Sequence, residues 1–242
     1  MRVYDAECPW GREDDFFLSL ADETPGTYVL DLGCGSGRLA LGLAAAGHTV
    51  TGVDPAAASL AAARAKPGAE RVIWIEGTSP VLPDASFEVA VMTSHVAQFF
   101  VGDDDWARAL ADLRRALVPG RTPCVRHPRP AGQPVGAVEP GRLTPPDGRT
   151  VTAWTEVTDV RDDVVVGYAI HYAFPDGSNG PGRPDTPARR ELVSTATLRF
   201  RTEETLRASL RDASFTVRHV YGVWSREPVG AQDGEFLVLA HA

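Results

Sequence analysis

Apolar and polar positions fall into two regimes along the chain. In the first half, short apolar runs bounded by glycine alternate with segments whose apolar residues recur every three to four positions. Tyr28-Val29-Leu30-Asp31-Leu32 is one such run and predicts a buried strand. Residues 37–46 favour a helix that Gly47 closes. His48 to Asp54 reads as a second strand, and Pro55, whose missing N–H costs nothing at a helix start, opens an alanine-rich helix. Arg71 to Ile75 and Phe87 to Met92 read as the third and fourth strands. Residues 103–118 carry Trp106, Leu110, Leu113 and Leu117 on one helical stripe, with three aspartates at its start. Residues 121–126 make a weaker fifth strand, with Pro123 against it. Ahead of all these, Phe16, Phe17 and Leu20 have the spacing of a helix's core stripe.

The second regime begins at residue 128. Residues 128–149 and 175–190 are dense in proline and glycine and read as loops. Between and after them lie three strand-like runs, at 151–160, 164–174 and 191–200, the first two joined by a turn at Arg161-Asp162-Asp163. Val164, Val166, Tyr168, Ile170, Tyr172 and Phe174 share one face with period two. A helix over 203–213, with Thr202 as its N-cap, and two closing strands at 215–223 and 235–241 complete the pattern. Strand–helix alternation implies an α/β fold with a doubly wound, mostly parallel sheet. An antiparallel β insertion follows strand five. The expected division is residues 1–127 with 201–242 for the main domain and 128–200 for the insert.

Chemistry concentrates in Val29-Leu30-Asp31-Leu32-Gly33-Cys34-Gly35-Ser36-Gly37-Arg38. Strand, glycine turn and helix follow one another. Glycines let a ligand approach the backbone, and the helix start favours an anionic group. Asp54 ends the next strand 23 residues after Asp31, where a carboxylate suits a ribose diol. A dinucleotide fingerprint would need its third glycine at position 38, which is arginine.

Gly33-x-Gly35-x-Gly37 preceded by Asp31 resembles motif I of class I S-adenosylmethionine (SAM)-dependent methyltransferases. That resemblance implies a Rossmann-like, seven-stranded sheet with the last strand antiparallel. It implies that the turn at Gly33, Cys34 and Gly35 holds the methionine portion, with Asp31 supporting the loop or the amino group. It places both ribose hydroxyls on Asp54 and the adenosine over Pro55. Glu76 to Thr78, Leu82-Pro83 and Ser86-Phe87-Glu88 look like the family's Gly-Asp…Leu-Pro…Ser-Phe-Asp stretch. The family acid is replaced by Thr78, so the hydroxyl of Thr78 or Ser79, or a backbone carbonyl, takes the adenine amino group.

The same resemblance sets Met92 to Phe100, including Ser94 and His95, beside the sulfonium and the acceptor. An imidazole titrates near neutrality, so His95 is the leading candidate base. His127, ending strand five, is the second. His171 on the inserted sheet, with Trp154, Tyr172 and Trp224, is the candidate acceptor-binding set. Tyr4 and Trp10 are candidates for an aromatic lid over the cofactor. His48, His219 and His241 read as structural or surface residues, and no two histidines have the spacing of a metal pair.

Composition narrows the partners. The chain has 242 residues, 43% of them hydrophobic, enough for a substantial core. Its net charge of −8 works against a nucleic-acid substrate. No apolar run approaches the ~20 residues of a membrane span, and the first residues lack the apolar stretch of a signal peptide. Three scattered cysteines suit a reducing cytoplasm. The open edge of the inserted sheet could pair across a homodimer. The resemblance therefore implies methyl transfer from SAM to an O or N atom of a small molecule, and the insert position after strand five resembles that of small-molecule methyltransferases of bacterial secondary metabolism. The alternatives are a non-catalytic SAM- or metabolite-binding module and a nicotinamide-dependent oxidoreductase.

Overall fold

A computed structural model describes residues 5, 7–128, 141–144, 150–161, 165–174, 190–230 and 235–242. The chain divides into two compact units. The larger comprises Trp10–Ala131 and Arg199–Ala242, the smaller Met1–Pro9 and Gly132–Leu198.

The larger unit is built on β1 (Tyr28–Leu32), β2 (Thr49–Asp54), β3 (Val72–Glu76), β4 (Phe87–Met92) and β5 (Leu117–Pro128). With β10 (Thr216–Tyr221) and β11 (Glu235–His241) they form a seven-stranded sheet in the order β10-β11-β5-β4-β1-β2-β3. The pairs from β3 to β5 are parallel, and β11 runs antiparallel to both neighbours. The apolar runs of β1, β2 and β4 are almost wholly buried because both sheet faces are covered. Successive residues feed opposite layers. Leu30 and Leu32 join a core with Trp106, Leu110 and Leu206, while Val29 joins Phe16, Phe17 and Leu43 on the other side. Helices α1 (Arg12–Ala21), α2 (Arg38–Ala45), α3 (Ala57–Arg64), α4 (Val96–Phe99), α5 (Asp103–Ala116) and α6 (Glu203–Asp212) supply the remaining surfaces.

Four details depart from the sequence expectation. The α5 stripe ends at Ala116, and Leu117 opens β5 by pairing with Phe87. The fifth strand is consequently twelve residues long. Pro123 lies within β5, in register with Ala90 of β4, and the register with β11 stops at Cys124. Pro55 lies before the N-cap Ala56, outside the first turn of α3.

The smaller unit holds a four-stranded sheet of β6 (Gly141–Leu143), β7 (Val151–Arg161), β8 (Val165–Phe174) and β9 (Arg190–Arg199), ordered β6-β7-β8-β9. β6 falls inside a segment whose composition reads as loop, which is the fourth departure. Its three residues owe their strand geometry to antiparallel pairing with Ala153, Thr152 and Val151.

Candidate cofactor and active site

β1 ends where Gly33 turns the chain. Gly33, Gly35 and Gly37 have φ of 78°, 55° and 79°, a region that other residues adopt only at a cost. Gly33 also needs its bare Cα for space, since a Cβ there would stand 2.3 Å from Val96 Cγ2. At Gly35 a Cβ would meet nothing within 4 Å, so the crest of the turn opens into space. The N–H groups of Gly33 and Cys34 both donate to the Val53 carbonyl, at 2.7 and 3.1 Å, which ties the turn to the end of β2. Lys66 Nζ, on the sequence's single lysine, donates to the Ser36 carbonyl at 2.9 Å and braces the far side.

Two carboxylates lie under the turn. Asp54 Oδ2 accepts the Gly35 N–H at 2.9 Å, and Oδ1 accepts the Ala56 N–H at 2.8 Å. The second-strand acid thus holds both the glycine turn and the start of α3. Each oxygen retains a further lone pair for a hydroxyl. Asp31 is 1% exposed, and its Oδ1 has no hydrogen-bond partner among the described residues. Burial, reinforced by the nearby Asp54 and Asp14 charges, pushes its pKa up to about 7 against the opposing pull of Arg38. Arg38 itself pairs with the buried Asp14 of α1 at 3.1 Å. Burial also pushes the Cys34 thiol up, so this cysteine is an inert part of the turn.

Val96 brings α4 against the glycine turn, and α4 carries His95 as its N-cap. Ser94 precedes it with φ of 50°, held by its N–H donating to Glu13 Oε1 at 2.8 Å. His95 is exposed, and its Nδ1 lies 2.5 Å from Oε1 of the fully buried Gln98. Arg201, 2% exposed, closes the other end of α4. Its guanidinium donates to the carbonyls of Ala97 and Phe100 at 3.3 and 2.6 Å and lies 4.9 Å from the Trp106 ring centroid. Burial lowers its pKa to about 10, which still leaves it charged at neutral pH.

The remaining candidates separate. Pro55 and Thr78 are exposed beside the ends of β2 and β3. Ser79 is buried, and its hydroxyl donates to Asp112 Oδ2 at 2.8 Å, committing its proton away from any ligand. Tyr4 and the side chain of His127 lie outside the described residues. The backbone of His127 pairs with Phe236 near the carboxyl end of β5. Trp224, expected in an acceptor pocket, packs edge-on against Phe16 and Phe17 at 5.8 and 6.1 Å. Trp10, a lid candidate, lies over Gly42 of α2, where its ring would meet an added Cβ at 2.3 Å. In the smaller unit Trp154 stacks on His171 at 4.7 Å. His171 Nδ1 lies 2.7 Å from Glu191 and Nε2 3.3 Å from Glu156. Tyr172 donates its hydroxyl to Glu7 at 2.9 Å. Gln98, Glu13 and Arg201 went unremarked in the sequence. Only Gln98 had a signal there, its position one helical turn after His95.

Residues 29–120 match the family described as "Methyltransferase domain". Over that stretch the chain is similar to SAM-dependent methyltransferases. Among curated relatives, the malonyl-[acyl-carrier protein] O-methyltransferase of Pectobacterium atrosepticum is 37% identical over 103 residues, 43% of this chain and 39% of that protein. The ubiquinone/menaquinone biosynthesis C-methyltransferase UbiE of Rubrivivax gelatinosus is 33% identical over 125 residues, 50% of this chain and 47% of that protein. The chain therefore spans less than half the length of these relatives. Beyond residues 29–120, likeness to solved structures covers nearly the whole chain. A SAM-dependent methyltransferase from Clostridium acetobutylicum superposes with a TM-score of 0.78 at 16% identity, covering 99% of this chain and 94% of that one. The CcbJ methyltransferase from Streptomyces caelestis gives 0.76 at 19% identity, with 98% of each chain covered. At these identities the likeness establishes the fold.

The site fits the methyltransferase cofactor. A buried Asp31 carboxylate oxygen with no partner among the described residues suits a cationic amino group, and a Cβ added at Gly35 would meet nothing within 4 Å. No helix among the described residues is long and apolar enough to cross a membrane.

Proposed function

We propose that this chain transfers the methyl group of SAM to an oxygen or nitrogen atom of a small molecule. The buried Asp31 oxygen, without a hydrogen-bond partner among the described residues, and the glycine turn that follows its strand carry the reading. In it Asp31 receives the amino group, the N–H groups of the turn receive the carboxylate, and Asp54 receives the ribose hydroxyls on its remaining lone pairs. Pro55, Thr78 and Ser94 border the rest of the cofactor. When bound, SAM supplies an electrophilic methyl group on sulfur.

The protein's part is alignment and proton handling. Gly33 and Val96 fix α4 against the turn, so His95 is held at a set place beside the cofactor site. His95 then accepts the proton that the acceptor atom gives up. An amine arriving neutral needs only the alignment. The smaller unit, with Trp154, His171 and Tyr172, is the proposed determinant of acceptor choice.

Bacterial secondary metabolism is the proposed setting. It is supported by structural neighbours named as an amino pentose methyltransferase of calicheamicin biosynthesis and a sugar N-methyltransferase, both at or below 20% identity. The test is production of S-adenosylhomocysteine with a panel of aminosugars, small amines and alcohols. Turnover with at least one class, reduced in His95→Ala while SAM affinity holds, is expected. SAM binding without turnover across the panel favours the non-catalytic module.

A further inference from the structure

We propose that Gln98 is the positioning residue of His95, accepting the Nδ1 proton on its amide oxygen and so leaving Nε2 as the basic nitrogen of the ring. This rests on the assignment of His95 as the proton acceptor.

The two residues are one turn apart on α4, and Nδ1 lies 2.5 Å from Gln98 Oε1. The backbone reinforces the pair, because the Gln98 N–H donates to the His95 carbonyl at 2.9 Å. Burial decides which partner governs. Gln98 is fully enclosed, whereas His95 is exposed. An enclosed amide cannot follow a moving ring, so the ring takes the orientation the amide sets.

The tautomer follows from donor and acceptor chemistry. Gln98 Oε1 faces Nδ1 and only accepts, so that nitrogen carries the proton, while the enclosed Gln98 Nε2 has no hydrogen-bond partner among the described residues. A neutral imidazole has one proton on its two nitrogens, so the lone pair falls on Nε2. Imidazole side chains in water favour the opposite form, with the proton on Nε2. An Nδ1–H tautomer at this position is therefore the form that the Gln98 contact selects. The frame around the pair is rigid. Glu13 holds the Ser94 N–H, Arg201 holds the Ala97 and Phe100 carbonyls, and Val96 abuts Gly33. Turned over, the amide would donate to Nδ1, put the proton on Nε2 and make the ring a donor.

Nitrogen-15 NMR of the histidine-labelled full chain tests this without an acceptor. The chain has six histidines, and the His95 signals are those lost in His95→Ala. At a pH where the ring is neutral, the wild type is expected to show protonated Nδ1 and unprotonated Nε2. Gln98→Leu, which keeps an uncharged side chain in the enclosed position, is expected to shift the ring to mainly Nε2–H. Gln98→Asn and Gln98→Leu are both expected to retain wild-type affinity for SAM by calorimetry. A wild-type ring protonated at Nε2, or a tautomer unchanged in Gln98→Leu, overturns the proposal. If the wild type shows Nδ1–H but His95→Ala turns over normally, the base assignment fails while the tautomer finding stands.

Discussion

At the scale of the residue, the proposed SAM site turns on Asp31 and Asp54. Both were legible in sequence, because a strand-end acid, a glycine turn and a second acid 23 residues on make a recognisable spacing. Their present occupations were not legible. Spacing says nothing about Gly35 and Ala56 donating to Asp54, or about which Asp31 oxygen lacks a partner among the described residues. The raised pKa of Asp31 has a consequence for stability. Its carboxyl ionises near 3.8 in the unfolded chain and at about 7 in the folded one. Between those values the folded chain holds a proton that the unfolded chain has lost, so stability falls as pH rises through the window and levels off above it. Asp31→Asn removes this effect. The cofactor-free variant should gain roughly 2–4 kcal/mol over wild type at pH 8, with the gain shrinking toward pH 5. Urea unfolding at the two pH values checks it, and an equal difference at both would show that ionisation of Asp31 costs the fold nothing.

At the scale of the element, α4 is the instructive case. Four residues cannot sustain a helix on propensity alone, so its place depends on what grips it. Sequence showed an apolar stretch after β4 but not the grip, because Arg201 lies about a hundred residues away and its burial follows from tertiary packing. Arg201→Met leaves two carbonyls without their donor, one of them on a buried residue. It should cost about 2–4 kcal/mol in chemical denaturation and speed amide exchange over residues 94–100. Unchanged exchange there would mean that α4 is held by other contacts. Gly33 tests the opposite end. Gly33→Ala should destabilise by about 2–4 kcal/mol, combining positive φ with a clash on Val96. Adding Val96→Ala should recover the clash but not the backbone cost, a coupling readable from a double-mutant cycle. β5 shows why boundaries misled. Leu117 fits the α5 stripe equally well, and only its pairing with Phe87 assigns it to a strand.

At the scale of the whole molecule, the hydrophobic period changes near residue 128, and β5 of the seven-stranded sheet ends at Pro128. The central sheet was legible because its strands are continuous apolar runs, which only a doubly covered sheet tolerates. The inserted sheet was legible as three strands, whereas β6 has no pattern of its own and exists through β7. Ligand linkage is the property of the whole chain that tests the fold and site together. At a free SAM concentration 100 times its Kd, the folded state should gain about 2.7 kcal/mol, seen as a raised unfolding midpoint that NAD does not produce. The central claim, that the glycine turn with Asp31 and Asp54 is a SAM site, is tested most directly by isothermal calorimetry of SAM against wild type and Asp54→Ala, with NAD as control. The account predicts one SAM per chain, affinity more than tenfold weaker in Asp54→Ala, and no heat with NAD. Absence of SAM binding by the wild type, or uptake of NAD in its place, contradicts it.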